Sequence, residues 1–156
     1  MSHRAEPRGT SGIVIPLIGG KSEMAEIIAF PREDHRHTVL IVDDEPAIRG
    51  FLYDYLNESG FHALTVASGD EAARLLQSGA MIDIVFSDVK MPGTLDGYGL
   101  ARWVMAHRPG LPVLLASGEL GKANAVHELC GAEILPKPYD FQLVVKRMHA
   151  ALESRA

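Results

Sequence analysis

A chain of 156 residues with 47% apolar and 22% charged residues is long enough for one domain with a full core, and some length is left over. Its net charge of −5 weighs against nucleic acid as a direct partner, and the first 38 residues, with five basic and five acidic groups, contribute none of it. The single cysteine, Cys130, leaves no internal disulfide and no cysteine metal cluster and suits a reduced cytosolic setting, and no apolar run approaches the roughly 18 residues of a membrane-spanning helix.

Residues 1–37 read as a flexible N-terminal tail, rich in Gly, Pro, Ser and isolated charges. Ile13 to Ile18 is too short, and interrupted by Pro16, to serve as a signal peptide. Ser22 to Phe30 carries the pattern of a short helix, and Met24 offers an alternative start. From Thr38 the pattern becomes regular. Val39 to Val42 is a short apolar strand, followed by a helix from Pro46 to about Ser59 with Ile48, Phe51, Leu52, Tyr55 and Leu56 at helical spacing. Gly60 stops it, and a strand at Ala63 to Val66 follows. Ser68 and Glu71 form a capping box that opens a helix through Gln77. The apolar run Ile82 to Ser87 is the third strand, and Tyr98 to His107 the third helix. Val113 to Ser117 then precedes a helix at Lys122 to Cys130, and Glu133 to Leu135 precedes the last helix, Phe141 to Glu153.

Five rounds of strand then helix, with strands that are almost continuously apolar, indicate an α/β fold whose parallel sheet is covered on both faces. In such a sheet the ligand crevice lies beyond the carboxyl ends of the strands. Polar groups end four of the runs: Asp43 and Asp44, then Asp88, Ser117 and Lys137. Carboxylates gathered there repel one another unless a cation joins them, and an all-oxygen donor set favours a hard ion such as Mg²⁺. With charge offset in this way, Asp88 is a candidate nucleophile for phosphoryl transfer, Lys137 a candidate partner of the phosphoryl oxygens and Ser117 a candidate donor hydroxyl. The bland alternative, turn formers and helix caps, accounts for neither the lysine nor its neighbour Pro138.

Val42-Asp43-Asp44-Glu45, Ser87-Asp88-Val89-Lys90-Met91-Pro92, Asp96-Gly97, Ala116-Ser117-Gly118 and Lys137-Pro138-Tyr139 together resemble the motif set of response-regulator receiver domains. The resemblance covers about residues 38–154. It implies a flavodoxin-like fold with strand order 2-1-3-4-5 and five helices, and a phosphoacceptor switch of a two-component or phosphorelay pathway rather than an enzyme. By the same resemblance Asp88 accepts the phosphoryl group, and Asp44 and Asp88 bind Mg²⁺ directly. Asp43 acts through a bound water, and the main-chain carbonyl of Lys90 completes the protein ligands. Ser117 is the switch hydroxyl, Lys137 pairs with the phosphoryl group, and the Lys137–Pro138 peptide is cis. The implied phosphodonor is a histidine kinase or a histidine phosphotransfer protein, contacting the protein near the first helix. The implied output is binding of a downstream protein through the fourth helix, fifth strand and fifth helix, in the cytoplasm and away from membrane and DNA.

Three features depart from the family pattern. Ile134 stands three residues before Lys137, where many receivers carry a Tyr or Phe that rotates on activation. The loop Pro92 to Gly97 is one residue longer between proline and aspartate than is common. Only a few residues follow the last helix, so no output domain is expected there. Lys90 and Glu119, each two residues past a site residue, either face one another across the pocket and restrict the attacking water or are plain surface residues. Two other readings stay open. One is a pseudo-receiver that binds its partner without phosphate, favoured by Ile134. The other is an aspartyl-phosphate hydrolase, disfavoured because Lys90 stands where such enzymes want a second acid.

Overall fold

Local signals in the chain fix where each helix begins. In the computed structural model, which describes residues 35–119 and 123–155, the hydroxyl of Ser68 accepts from the amide of Glu71 at 3.1 Å, and the Glu71 carboxylate accepts from Ala67 N at 3.0 Å. These bonds satisfy amides that the helix itself cannot, and α2 (Gly69–Gln77) starts there. Asp96 caps α3 (Gly97–His107) through Gly99 N at 2.7 Å, and Asp140 caps α5 (Phe141–Ser154) through Gln142 N at 2.8 Å. The first helix, α1 (Pro46–Glu58), uses Pro46 in its first turn, where no amide is needed. The fourth, α4, spans Ala123–Cys130. The expected tail, apart from residues 35–37, and the helix expected at Ser22 to Phe30 lie outside the described residues.

Five strands, β1 (Thr38–Val42), β2 (His62–Val66), β3 (Ile84–Asp88), β4 (Val113–Ser117) and β5 (Glu133–Pro136), pair in parallel in the order β2-β1-β3-β4-β5. The fold class and strand order are those expected. Strands β1 and β2 begin one residue earlier than expected, at Thr38 and His62, and the larger change is in β3, which begins at Ile84, not Ile82. Asp83 is the reason, since its carboxylate accepts from Thr38 N at 2.7 Å and its amide donates to Thr38 O, tying it to the start of β1. At its other end β3 runs one residue further than the apolar pattern, and takes in Asp88.

Alternate residues of each strand face opposite cores, which is why the strands read as unbroken apolar runs. Leu40, Val42, Val85 and Leu115 pack under Leu100 and Val104 on the α2–α3–α4 side. Val39, Ile41, Ile84, Phe86, Leu114 and Leu135 pack under Leu52, Leu56, Val144 and Met148 on the α1–α5 side. Full burial of one such side chain is worth about 1.5–3 kcal/mol, so the two layers hold the strand ends rigidly.

Two glycines separate a close approach from an idle position. A Cβ on Gly97 would lie 2.4 Å from the carbonyl oxygen of Asp88 and 2.7 Å from Cα of Val89, main-chain atoms that cannot swing aside. A Cβ on Gly50, in the interior of α1, would meet nothing within 4 Å. Gly97→Ala is therefore expected to lower the stability by about 2 kcal/mol, from overpacking. Gly50→Ala is expected to raise it by about 0.5–1 kcal/mol, from reduced backbone entropy in the unfolded chain. Urea unfolding of the two variants checks both signs; equal effects would contradict the packing at Gly97.

Candidate functional site

Strand register carries the polar residues to one end of the sheet. Val42 lies opposite Ser87, so Asp43 comes level with Asp88. Asp88 lies opposite Ala116, and Ser117 opposite Pro136, so Ser117 and then Lys137 follow in steps. Asp43, Asp44 and Asp88 each offer a carboxylate oxygen within 4.8 Å of the others. Asp43 and Asp88 are buried and Asp44 is exposed. The ammonium of Lys137 lies 2.9 Å from Oδ1 of Asp88, and the Lys137 amide extends the β4–β5 ladder by donating to Ser117 O at 2.8 Å. The Lys137–Pro138 peptide is cis. All four site positions read from the strand ends are brought together.

The first acid is held by its own turn. Asp43 N donates to Val66 O, Oδ1 of Asp43 accepts from Glu45 N at 2.9 Å, and the Arg49 guanidinium donates to the Asp43 carbonyl at 2.7 Å. Burial pushes the Asp43 carboxyl above the usual carboxylate range. The Glu45 amide pulls it down, the charge of Asp88 raises it, Lys137 lowers it and Asp44 raises it again. The net direction is upward, so the charged carboxylate is held less readily here than in water and the cluster would gain from added positive charge. Three oxygen donors at this spacing, with solvent open at Asp44, fit a hard divalent ion such as Mg²⁺.

Ser117 is buried at the end of β4, and its hydroxyl accepts from Glu119 N at 3.0 Å. Lys90 and Glu119 face one another, Nζ to Oε1 at 3.0 Å, with both side chains mainly in solvent. Two contributors carry no role in the sequence reading. Arg49 lies six residues after Asp43, one turn into α1, a cation spacing that could have drawn notice. Tyr139 stood only as the last letter of the Lys-Pro motif. Its ring meets Phe86 edge-on, with centroids 5.6 Å apart, and lines a cleft of about 440 Å³ with Asp43, Glu45, Ile48, Lys137 and Phe141. Burial and then the charges of Asp43, Asp88 and Glu45 push the Tyr139 phenol up to about 12.

A doubly wound parallel sheet whose neighbouring strand ends carry an acidic cluster, a hydroxyl and a lysine defines the receiver class of domains. A sequence-family model of the response regulator receiver domain matches residues 39–149, and the chain belongs to that family. Among curated relatives, the DNA-binding transcriptional regulator NtrC of Salmonella typhimurium is 32% identical over 119 residues, 75% of this chain and 25% of its own length. NtrC of Escherichia coli K12 matches to the same extent, so the chain spans about a quarter of these relatives. Among solved structures, a response regulator receiver protein from Sinorhizobium medicae is 29% identical with a TM-score of 0.71, covering 78% of this chain and 98% of that one. Chemotaxis protein CheY4 of Vibrio cholerae is 28% identical with a TM-score of 0.67, covering 74% and 98%. The receiver domain of the hybrid histidine kinase CckA is 32% identical with a TM-score of 0.62, again covering 74% and 98%.

The raised Asp43 carboxyl sets a sign for stability. A carboxyl that folding pushes above its ordinary value of 3.8 stabilises the fold below that value and loses the contribution as pH rises through the folded value. In chelator at pH 7, Asp43→Asn is therefore expected to be more stable than the parent by on the order of 1 kcal/mol. The amide oxygen keeps the bond from Glu45 N, and the gain should shrink towards about pH 3. Urea midpoints against pH check this; a less stable variant at pH 7 would show that the cost of burying the Asp43 charge among like charges does not govern the cluster.

Proposed function

We propose that the protein is a phosphoacceptor switch of two-component or phosphorelay signalling, phosphorylated on Asp88 with Mg²⁺ bound. The observation that carries this reading is the buried Asp88 carboxylate, paired at 2.9 Å with Lys137 and flanked within 4.8 Å by Asp43 and Asp44. The donor is a phosphohistidine on a histidine kinase or phosphotransfer protein. A carboxylate oxygen of Asp88 attacks phosphorus, the P–N bond breaks, and the imidazole nitrogen leaves with the electron pair and takes a proton from solvent. Lys137 offsets the charge on one phosphoryl oxygen, and the Ser117 hydroxyl, turning away from Glu119 N, donates to another.

Asp43, Asp44 and Asp88, with the main-chain carbonyl of Lys90, would hold the ion. When bound, the ion neutralises charge that develops on the phosphoryl oxygens. Arg49 has no contact with the reacting atoms; by holding the Asp43 carbonyl it sets the direction of the turn that carries both acids. Hydrolysis reverses the state when water attacks phosphorus and Asp88 leaves as carboxylate. Output is by binding of another protein, in a cytoplasmic setting. The DNA binding of NtrC belongs to a protein of which this chain spans only a quarter.

Ile134 supports one other reading, a pseudo-receiver that works without phosphate. Small-donor labelling separates the two: with radiolabelled acetyl phosphate and Mg²⁺, the parent is expected to gain acid-labile label, and Asp88→Asn to lose at least nine-tenths of it. Unaltered labelling in the variant would sink the Asp88 assignment, and an unlabelled parent would favour the pseudo-receiver.

The Lys90–Glu119 pair spans the mouth of the pocket and limits the approach of water. Lys90→Ala and Glu119→Ala are each expected to shorten the phosphoryl lifetime about threefold to tenfold, a barrier change of up to about 1.4 kcal/mol. Loss of label over time reads this directly. An unchanged lifetime in both variants would leave the pair without a gating role.

A further inference from the structure

We propose that Tyr139 is the aromatic side chain that responds to the state of Asp88 in this protein, and that Phe141 and Tyr55 carry the response to the seam between α5 and α1. The proposal rests on the assignment of Asp88 as phosphoacceptor. It starts from a mismatch between the two faces of the sheet. Ile134, where an aromatic is common, packs into the α2–α3–α4 core together with Tyr98. Tyr139 and Phe141 pack into the α1–α5 core instead, the face that Phe86 enters two residues before Asp88. Side chains two apart in a strand share a face, so Asp88 opens on the side of Tyr139.

From there the rings form a continuous run. Phe86 meets Tyr139 at 5.6 Å and 80°, Tyr139 meets Phe141 at 6.0 Å, and Phe141 meets Tyr55 of α1 at 5.3 Å. The first pair is edge-to-face and the other two are tilted; aromatic pairs at these separations are worth about 0.5–1.5 kcal/mol each, so moving one ring re-orients the next. The push has a definite origin. Lys137 holds Oδ1 of Asp88 in the unphosphorylated protein, and a phosphoryl group on Asp88 draws the ammonium outward to its own oxygens. Tyr139 follows Lys137 by two residues and lines the same cleft. The charges of Asp43, Asp88 and Glu45 also reach Tyr139 directly, so neutralising part of that charge changes what the ring experiences. Both effects act on the α1–α5 side.

Replacing tyrosine with 3-fluorotyrosine gives four ¹⁹F signals, from Tyr53, Tyr55, Tyr98 and Tyr139, assigned by single Tyr→Phe variants. Mg²⁺ with beryllofluoride, a phosphoryl mimic, is then added while the amide resonances of Asp88 and Ser117 are followed. The expected result is a shift of the Tyr139 signal by several linewidths, a smaller shift at Tyr55, and the least at Tyr98. Phe141→Leu is expected to keep the Tyr139 shift and to reduce the Tyr55 shift at least twofold. Movement of the Asp88 and Ser117 amides with a stationary Tyr139 signal overturns the inference and leaves the phosphoacceptor reading standing. A Tyr98 shift larger than that of Tyr139, or a Tyr55 shift untouched by Phe141→Leu, overturns it equally. If the Asp88 and Ser117 amides do not respond either, the phosphoacceptor reading fails and the inference falls with it.

Discussion

Negative charge forced together by the sheet is the constraint on which the remainder of the protein turns. Asp43 and Asp88 are both buried, and their carboxylates come within 4.8 Å because β1 and β3 are neighbours in register. Like charges at that separation cost on the order of 3 kcal/mol at an effective dielectric near 20. A domain of this size is stable by about 5–15 kcal/mol in all, so this repulsion is a large fraction of what the fold has to spare. The Lys137 ammonium offsets part of it at Asp88, and burial raises Asp43 towards its neutral form. What stays uncompensated is an affinity for positive charge, of the kind a hard divalent ion would meet. Instability at the strand ends and chemical competence are one property.

The two-layer core decides where that property can be felt. Period-two alternation sends Ile84, Phe86 and Asp88 towards α1 and α5, and Val85 and Ser87 towards the other helices. A change at Asp88 therefore reaches the α1–α5 layer through side chains, while it reaches the α3–α4 layer through the backbone of β4 and the hydroxyl of Ser117. Ile134 lies in the second layer, and an aliphatic side chain has no polar end to be drawn towards Ser117. The aromatic rings that do adjoin the acidic cluster lie in the first.

Much of this was legible in the sequence because the signals are local. Buried parallel strands show as unbroken apolar runs, and Ser68 with Glu71 or Asp140 before Phe141 marks a helix start within four residues. The polar strand ends were legible for the same reason, since a strand's last residue is fixed by its own run. Register and long-range contact were not. Asp83 belongs to the bonding of Thr38, 45 residues away, so the apolar run beginning at Ile82 overstated the strand. Tyr139 gains its meaning from Phe86, across more than 50 residues, and Arg49 from a main-chain carbonyl that no side-chain pattern reports. The facing of Lys90 and Glu119 could be anticipated because each is counted from a residue whose place was already fixed.

The lengthened loop between β3 and α3 shows how an added residue is absorbed near a site that tolerates little movement. Its amide at Thr94 donates to the Asp70 carboxylate at 3.0 Å, at the start of α2. Gly69 leaves no space there, since a Cβ would lie 2.5 Å from the carbonyl of Leu95. At its far end Gly97 N donates to Val89 O at 2.8 Å, closing the loop one residue past Asp88. The extra length is thus spent sideways, against α2, instead of upward over the pocket. Lys90, on the near side of the loop, pairs with Glu119 at 3.0 Å, both side chains being mainly in solvent. The loop is thus tied at both ends, to α2 through Asp70 and to Val89, the residue after Asp88, so its extra length leaves the end of β3 where the sheet sets it.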